Sequence, residues 1–584
     1  MLKEKKEKEA NSAKKLKTAN EEVKEITLEY KLHELPSSQH KSGLAGLVLM
    51  VRWLTKRNPH KVKGILEELE CTDKIYKLRI DKEGMKSLFD ETYSASWEEQ
   101  ERDKPLKNSR TKEEIPYKRK ETKAVGIVDK KTGENIQKEK EIYIYDVVVP
   151  SGSFLKDMDN SQESAWIKLW RDMIWNILRG IPTTRIVYEN RASKEDNKDY
   201  LEVWNNLIKI TTKKSEIQGT YFLSSQDKNA EGVPFLDQNK NFLLLHFWPF
   251  ISQIYIPQKL EYDNSSKKYK PSDDGFAICI PEILDLKNFC LDYEEFLKSR
   301  DNTILGFRPR ASKIFVLQEA GWDSFERLKI SLTKLEGAKK YSDLVNGIDV
   351  FRFIKEGNNI NNKANFRITP NDITLKEYEA FKNDNYFDSI FKRQILTNLS
   401  ENKSWHEDFG KLFKTSGYEY FIGKGKTKDV NFSNDVNKKF KGLINSIHKE
   451  HTMENSLETD EKEISSENLK SLEQIIYWMI RNYISIRLAS KYGFKKEDIK
   501  TNKYVEMKEK LAKETFLAIR SRTGGDFISY FSSSICSVGQ YMNEERFLTL
   551  TKALFDETDK VRTLSMLALS AVSYTYQKKE TSNV

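Results

Sequence analysis

Residues 35–50 read LPSSQHKSGLAGLVLM, in which a proline, two serines, a glutamine, a histidine and a lysine stand directly before a strongly apolar run. Leu44, Leu47, Val48, Val51 and Leu54 recur at helical spacing, and Ser37 or Ser38 supplies the N-cap just after Pro36. Upstream, ITLEYKLHEL alternates Ile26, Leu28, Tyr30 and Leu32, the period of a half-buried strand. The fold therefore opens as strand, turn, helix. The first N–H groups of such a helix have no intrahelical acceptor, and Gln39, His40 and Lys41 place side-chain donors beside them. That arrangement suits a phosphate or an RNA backbone. Simple capping with tight helix packing, which Gly43 and Gly46 permit, is the alternative.

Outward from this point, IYKLRI (75–80) and IYIYDVVV (142–149) read as further strands, separated by a long, basic, proline-containing loop over 98–123. Trp166, Leu169, Trp170, Met173, Ile174 and Ile177 form one helical stripe, stopped by Gly180 and Pro182, that packs on a sheet. Strand candidates for that sheet are GTYFLSS (219–225), FLLLHFW (242–248), ISQIYIP (251–257) and FAICIP (276–281), all rich in aromatic and β-branched residues. From 282 to 452 the chain reads as mainly helical and irregular. Beyond 452, Leu472, Ile475, Ile476, Met479, Ile480, Tyr483 and Ile484 share a stripe, and the segments 504–520, 527–541, 545–556 and 558–576 repeat the pattern without a proline. The expected class is α+β: a charged arm over 1–24, a mixed α/β body with antiparallel strands over 25–452, and a helical bundle over 453–584.

Composition narrows the function classes. Apolar residues make up 38% of the 584 and aromatics 11%, enough for real cores, and the net charge of +10 suits polyanion contact without demanding it. The four cysteines form no C-x-x-C pair, which argues against a disulfide framework or a cysteine-rich zinc site and fits a reducing cytoplasm. No apolar run reaches the roughly 20 residues of a membrane span. There is no P-loop, no H-E-x-x-H and no G-x-S-x-G. His448 and His451 lie three apart in a solvated stretch that reads as surface helix, and His246 inside FLLLHFW reads as a satisfied core histidine. Neither an enzyme nor a metal or cofactor site is expected.

Nucleic-acid features are better represented. FRPRASK sets Arg308, Arg310 and Lys313 around Pro309, a stiff turn that either holds phosphates or pairs with local carboxylates. AIRSRTGGDF carries Arg520 and Arg522 before a double glycine, which ends a helix and either offers arginines to a nucleic-acid strand or leaves them solvated. Arg52, Lys56, Arg57 and Lys61 gather at the end of the first helix, where its dipole favours cations.

The strand followed by LPSSQHKSGLAGLVLMVRW resembles the N-terminal region of large subunits from type I-B CRISPR effector complexes (Cascade), closely over about residues 26–54 and by layout beyond. The resemblance implies a subunit with no catalytic centre. Such a subunit meets the crRNA 5′ handle, recognises the protospacer-adjacent motif in double-stranded DNA, helps R-loop formation and recruits a helicase-nuclease. Its partners would be the backbone, handle-capping and small subunits, with no membrane. Gln39, His40 and Lys41, with Arg52, Lys56 and Arg57, would then meet the RNA or a backbone subunit. Ser225, Gln226, Lys228 and Asn229 on a polar loop would read base edges. Arg308, Arg310 and Lys313 would hold duplex phosphates, and Arg520 and Arg522 the displaced strand. Met453 would suit an internal start for a small subunit. A metal-dependent nuclease with scattered carboxylates and a purely protein-binding helical scaffold are the rival readings.

Overall fold

The computed structural model describes residues 23–574 apart from 109–110, 129–134, 179–184, 210–213, 217–222, 224–230, 232, 234–235, 266–267, 301–303, 306–307, 333–339, 358, 423–431 and 452–470. They form two compact units, Met1–Pro257 with Asp274–Pro370, and Gln258–Asp273 with Asn371–Val584.

In the first unit, strand β1 (Glu25–Lys31) leads into helix α1 (Ser38–Arg52), and β2 (Leu66–Cys71) and β3 (Ile75–Asp81) complete an antiparallel sheet ordered β1-β3-β2. Tyr30, Tyr76, Leu78 and Ile80 bury the face that the alternation marked. Helix α1 is buried on almost every side, thirteen of its fifteen residues being buried, so it forms the centre of the unit.

Helix α2 (Lys82–Thr92) is followed by β4 (Ala95–Arg102), β5 (Arg119–Val128) and β6 (Asn135–Pro150), a sheet ordered β4-β6-β5. This corrects the expected loop over 98–123, most of whose ends are strand. Period-2 charge hid them: Arg119 meets Glu99, Lys118 meets Glu99 and Asp146, and Lys120 meets Glu141. Helix α3 (Ala165–Asn176) buries its whole predicted stripe. Trp170 stacks on Phe250 with ring centroids 5.6 Å apart, and its indole N–H donates to the Pro249 carbonyl at 2.9 Å.

FLLLHFW is not a strand. Helix α4 (Asn239–Leu244) runs into a turn and the 3-10 segment Trp248–Phe250. An apolar run buried all round carries no period that separates helix from strand. The reading of His246 is met: it is buried, its Nδ1 lies 2.6 Å from the Tyr93 hydroxyl, and burial brings its pKa down to about 4.

Strands β7 (Gln253–Asp263) and β8 (Lys268–Asp273) form a hairpin whose residues from Gln258 onward belong to the second unit. The main sheet of the first unit continues from β7 through β9 (Phe276–Ile283), and beyond helices α5 (Leu286–Lys298) and α6 (Gln318–Leu332) through β10 (Val345–Glu356) and β11 (Asn359–Ile368). All its main pairings are antiparallel. The β10–β11 hairpin corrects the reading of 282–452 as helical and irregular. A register shift at Arg352/Phe353 breaks the alternation that would have revealed it.

The second unit is helical: α7 (Asp372–Asn383), α8 (Ser389–Ser400), α9 (Phe409–Thr415), α10 (Phe432–His451), α11 (Leu472–Tyr492), α12 (Asn502–Arg520), α13 (Gly524–Tyr530), α14 (Glu544–Asp556) and α15 (Thr558–Ser573). The periodicity beyond residue 470 located α11, α12, α14 and α15 well, while the segment 527–541 is α-helical only to Tyr530 and continues as a π turn and a 3-10 segment. One core runs from Tyr386 to Val572, so Phe391, Phe409, Phe413, Phe421 and Phe440 share it with the helices after residue 471. The hairpin tip joins the same unit, with Tyr269 6.0 Å from Tyr420.

Candidate nucleic-acid interface

The polar residues at the mouth of α1 are spent inside the protein. The Ser37 hydroxyl caps the helix, accepting from the His40 N–H, and lies 2.8 Å from His40 Nδ1. The Ser38 hydroxyl donates to Asp349 on β10 at 2.5 Å. Gln39 accepts from the Leu223 N–H at 3.3 Å, His40 Nε2 lies 3.2 Å from Asp237, and Lys41 Nζ lies 2.5 Å from Glu282 on β9. The Ser42 hydroxyl donates to the Pro281 carbonyl at 2.7 Å. Burial pushes the Asp237 carboxyl up, but hydrogen bonds from His40 and Asn241 more than offset it and hold it below the usual range. Burial, then Arg367, lowers Lys41. The expectation that Gln39, His40 and Lys41 face a polynucleotide is therefore corrected. Burying the start of a helix demands partners for its polar groups, and these strands supply them.

The glycines serve the same packing. A Cβ on Gly43 would sit 2.8 Å from the Leu244 carbonyl carbon, and one on Gly46 2.9 Å from that of Phe247. The backbone after α4 lies directly on α1.

At the other end of α1, Arg52 forks onto Glu68 with contacts of 3.0 and 3.2 Å, and Arg57 reaches both oxygens of Glu294 at 2.7 and 2.8 Å. Lys56 is exposed, with no partner among the described residues. Ser225, Gln226, Lys228 and Asn229 lie outside the described residues, as do Gly180, Pro182 and Met453; the side chains of His448 and His451 do also.

The FRPRASK turn divides. Arg308 lies 3.2 Å from Asp172 and 5.1 Å over the Phe276 ring, which corrects its assignment to phosphate and favours the local-carboxylate reading. Arg310 and Lys313 are exposed on either side of buried Ser312.

The AIRSRTGG segment divides too. Arg520 donates to the carbonyls of Lys414 and Ser416 at 3.1 and 3.0 Å and so closes the end of α9, a structural duty that corrects its assignment to the displaced strand. The double glycine does not end α12, whose C-cap is Ser521. Gly524, at φ +53°, opens α13. Arg522 donates to the Ala518 carbonyl at 2.6 Å and lies 4.6 Å over the Tyr530 ring. Arg487 on α11 lies 5.5 Å over Tyr483. Burial and the adjoining Tyr483 hydroxyl push Tyr530 up to about 12, against the pull of Arg522 and Arg487, so the four side chains form one cluster. Among the described residues neither arginine has a carboxylate partner. Beside them, a Cβ on Gly524 or Gly525 would meet nothing within 4 Å. Two arginines without carboxylates, next to open backbone, suit a phosphate chain.

Sequence reasoning found Arg522 but passed over Arg487 and Tyr530. The i, i+4 spacing of Tyr483 and Arg487 on one helix was the available signal; the meeting with Tyr530 is tertiary.

Two family models match the sequence: the type I-B CRISPR Cas8b N-terminal domain over residues 65–338 and the type I-B CRISPR Cas8b C-terminal domain over residues 345–572. The chain belongs to the Cas8b family, the large subunit of the Cascade-type effector. No curated protein matches it. The QHKSGLAGL segment, which carried the resemblance, precedes the first matched residue. Strands β10 and β11 fall within the C-terminal match yet complete the sheet of the first unit. Among the described residues no helix of this Cas8b chain is long and apolar enough to cross a membrane, and no group of three or more His, Cys, Asp or Glu side chains is placed to hold a metal.

Proposed function

We propose that the chain is a non-catalytic large subunit that recognises the protospacer-adjacent motif in double-stranded DNA, contacts the crRNA 5′ handle, helps R-loop formation and recruits the helicase-nuclease. Base pairing with a guide reads the long target in such a system, and the protein's share is to hold backbones and read a short motif. The observation that carries this reading is the cluster of Tyr483, Arg487, Arg522 and Tyr530, whose guanidiniums are stacked but not neutralised; it guides the displaced strand. Exposed Arg310 and Lys313 hold duplex phosphates, the loop with Ser225, Gln226, Lys228 and Asn229 reads base edges, and Lys56 with Arg57 faces the RNA or a backbone subunit.

The test is single-stranded DNA binding by the full chain across a salt series. The double variant Arg487→Glu, Arg522→Glu should bind at least about tenfold more weakly, with the log-log salt slope shallower by about 0.7 for each phosphate no longer neutralised. Unchanged affinity and slope would remove the cluster from the interface.

A further inference from the structure

One helix of the second unit carries apolar side chains on two opposite faces. Toward the core, α14 buries Leu550, Ala553 and Leu554. On the opposite face, at i, i+4 and i+7, stand Leu548, Lys552 and Phe555, with Leu548 59% and Phe555 61% exposed. Seven residues of helix set these two side chains about 10 Å apart along one line. A surface helix ordinarily keeps its outer stripe polar. A single exposed leucine needs no reason, but a leucine and a phenylalanine in register have the anchor spacing by which one helix grips another.

The rim of this stripe is acidic. Glu544 and Glu545 stand at the start of α14, Asp556 at its end and Asp559 on the first turn of α15, all exposed and none in an ion pair among the described residues. Glu557 is the carboxylate that Lys560 neutralises, at 2.7 Å. Counted whole, residues 544–560 hold five carboxylates against Arg546, Lys552 and Lys560, in a chain whose net charge is +10. That sign excludes two occupants. A polynucleotide would be repelled by the rim. A second copy paired about a two-fold axis would set Leu548 on Phe555, but it would also bring Glu544 of each helix to Asp559 of the other and Lys552 beside its own copy, like charges that oppose association.

We propose that this face docks a basic amphipathic helix of another protein subunit of the effector. The occupant presents apolar side chains at i, i+3 or i+4, and i+7, which cover Leu548 and Phe555. Lysines or arginines on its flanks meet Glu544, Glu545, Asp556 and Asp559. Covering the two apolar side chains supplies the affinity, and the acidic rim selects the partner and fixes its register. The proposal rests on the chain's membership of a family of multi-subunit effector components and not on the nucleic-acid contacts above, with which it shares no residue.

The experiment replaces Lys552, which lies between the two apolar side chains, with the photoreactive residue p-benzoylphenylalanine in the full chain, purified as its Cascade complex. Irradiation and mass spectrometry then identify what lies on the face. The cross-linked segment should belong to another protein subunit, with apolar residues at helical spacing and a net positive charge. A synthetic peptide of that segment should bind the full wild-type chain, more weakly as salt rises. Leu548→Ser with Phe555→Ser should weaken peptide binding at least about tenfold while leaving single-stranded DNA binding as in wild type. Glu545→Lys with Asp556→Lys should also weaken peptide binding about tenfold; if the serine pair does not fold, the lysine pair carries the test. Cross-links to nucleic acid, to this chain or a second copy of it, or to a segment without basic flanks would each overturn the proposal. So would the absence of any cross-link, or a peptide affinity unchanged in a folded variant pair.

Discussion

Replacing Gly43 by alanine sets helix propensity against packing. In an isolated helix the change stabilises by about 1 kcal/mol. Here the new Cβ would lie 2.8 Å from the Leu244 carbonyl carbon and 3.2 Å from Leu244 Cβ, inside the roughly 3.5–4.0 Å at which carbon atoms attract. Helix α1 must withdraw by several tenths of an ångström. That movement loosens Lys41 on Glu282 and Ser42 on Pro281, contacts of 2.5 and 2.7 Å that have little slack. Overpacking a fitted core costs about 1–3 kcal/mol, and the upper half of that range is expected where backbone is the obstacle, so after the propensity gain of about 1 kcal/mol a net loss of about 1–2 kcal/mol is expected. Gly46→Ala should cost a similar amount, and the double variant less than the sum, because one withdrawal relieves both contacts. Urea unfolding of the full chain, followed by tryptophan fluorescence and fitted with a separate transition for each unit, measures this. Gly525→Ala, where a Cβ meets open space, is the control and should be neutral or stabilising. A Gly43→Ala chain as stable as wild type would refute the account of the helix mouth as a packing device.

Other predictions follow from particular contacts. Asp435 is fully buried, accepts from the N–H groups of Phe387 and Asp388 at 2.7 and 2.6 Å, and is pushed up to about 6 by burial. A raised folded pKa means its contribution to stability is complete below the unfolded value of about 4 and is lost as pH rises through about 6. The loss is on the order of 2–3 kcal/mol. Asp435→Asn keeps an acceptor oxygen without the charge, so its melting temperature should fall less than that of wild type between pH 4 and 7; parallel profiles would contradict the assignment. Arg310→Glu with Lys313→Glu should weaken duplex DNA binding and flatten its salt slope by about 0.9 for each phosphate given up, while Arg308→Ala should show first as a lower melting temperature. A product beginning at Met453 would lack Phe440, stacked 4.8 Å from Tyr477, and Phe413, edge-on at 5.4 Å to Phe516. Expressed alone it should bind a hydrophobic dye and self-associate, whereas 371–584 should do neither; identical behaviour would show that the later helices need no earlier partners.

What the sequence made legible was set by whether a residue's neighbours along the chain are also its neighbours in space. Helices α3, α11, α12, α14 and α15 and strands β1, β3 and β9 carry uninterrupted periods and were placed within a few residues, whereas the segment 527–541 is α-helical only to Tyr530. FLLLHFW failed because its burial comes from α1 and α2, elements distant in sequence, and β10 failed because a bulge resets its alternation. The site obeys the same rule. A string of donors such as SSQHKS announces that acceptors exist but not where they are. Asp237, Glu282 and Asp349 lie some 200 to 310 residues downstream, so protein carboxylates and a bound phosphate write the same sequence. Only the fold separates a donor whose acceptor is internal from one whose acceptor must come from outside. By that criterion His40, Lys41, Arg308 and Arg520 belong to the architecture. Arg487, Arg310 and Lys56 are where a polyanion can still be met, with Arg522, which has one carbonyl acceptor but no carboxylate, beside the first of them, and the least conspicuous in the sequence, Arg487, is held in the best-formed cluster.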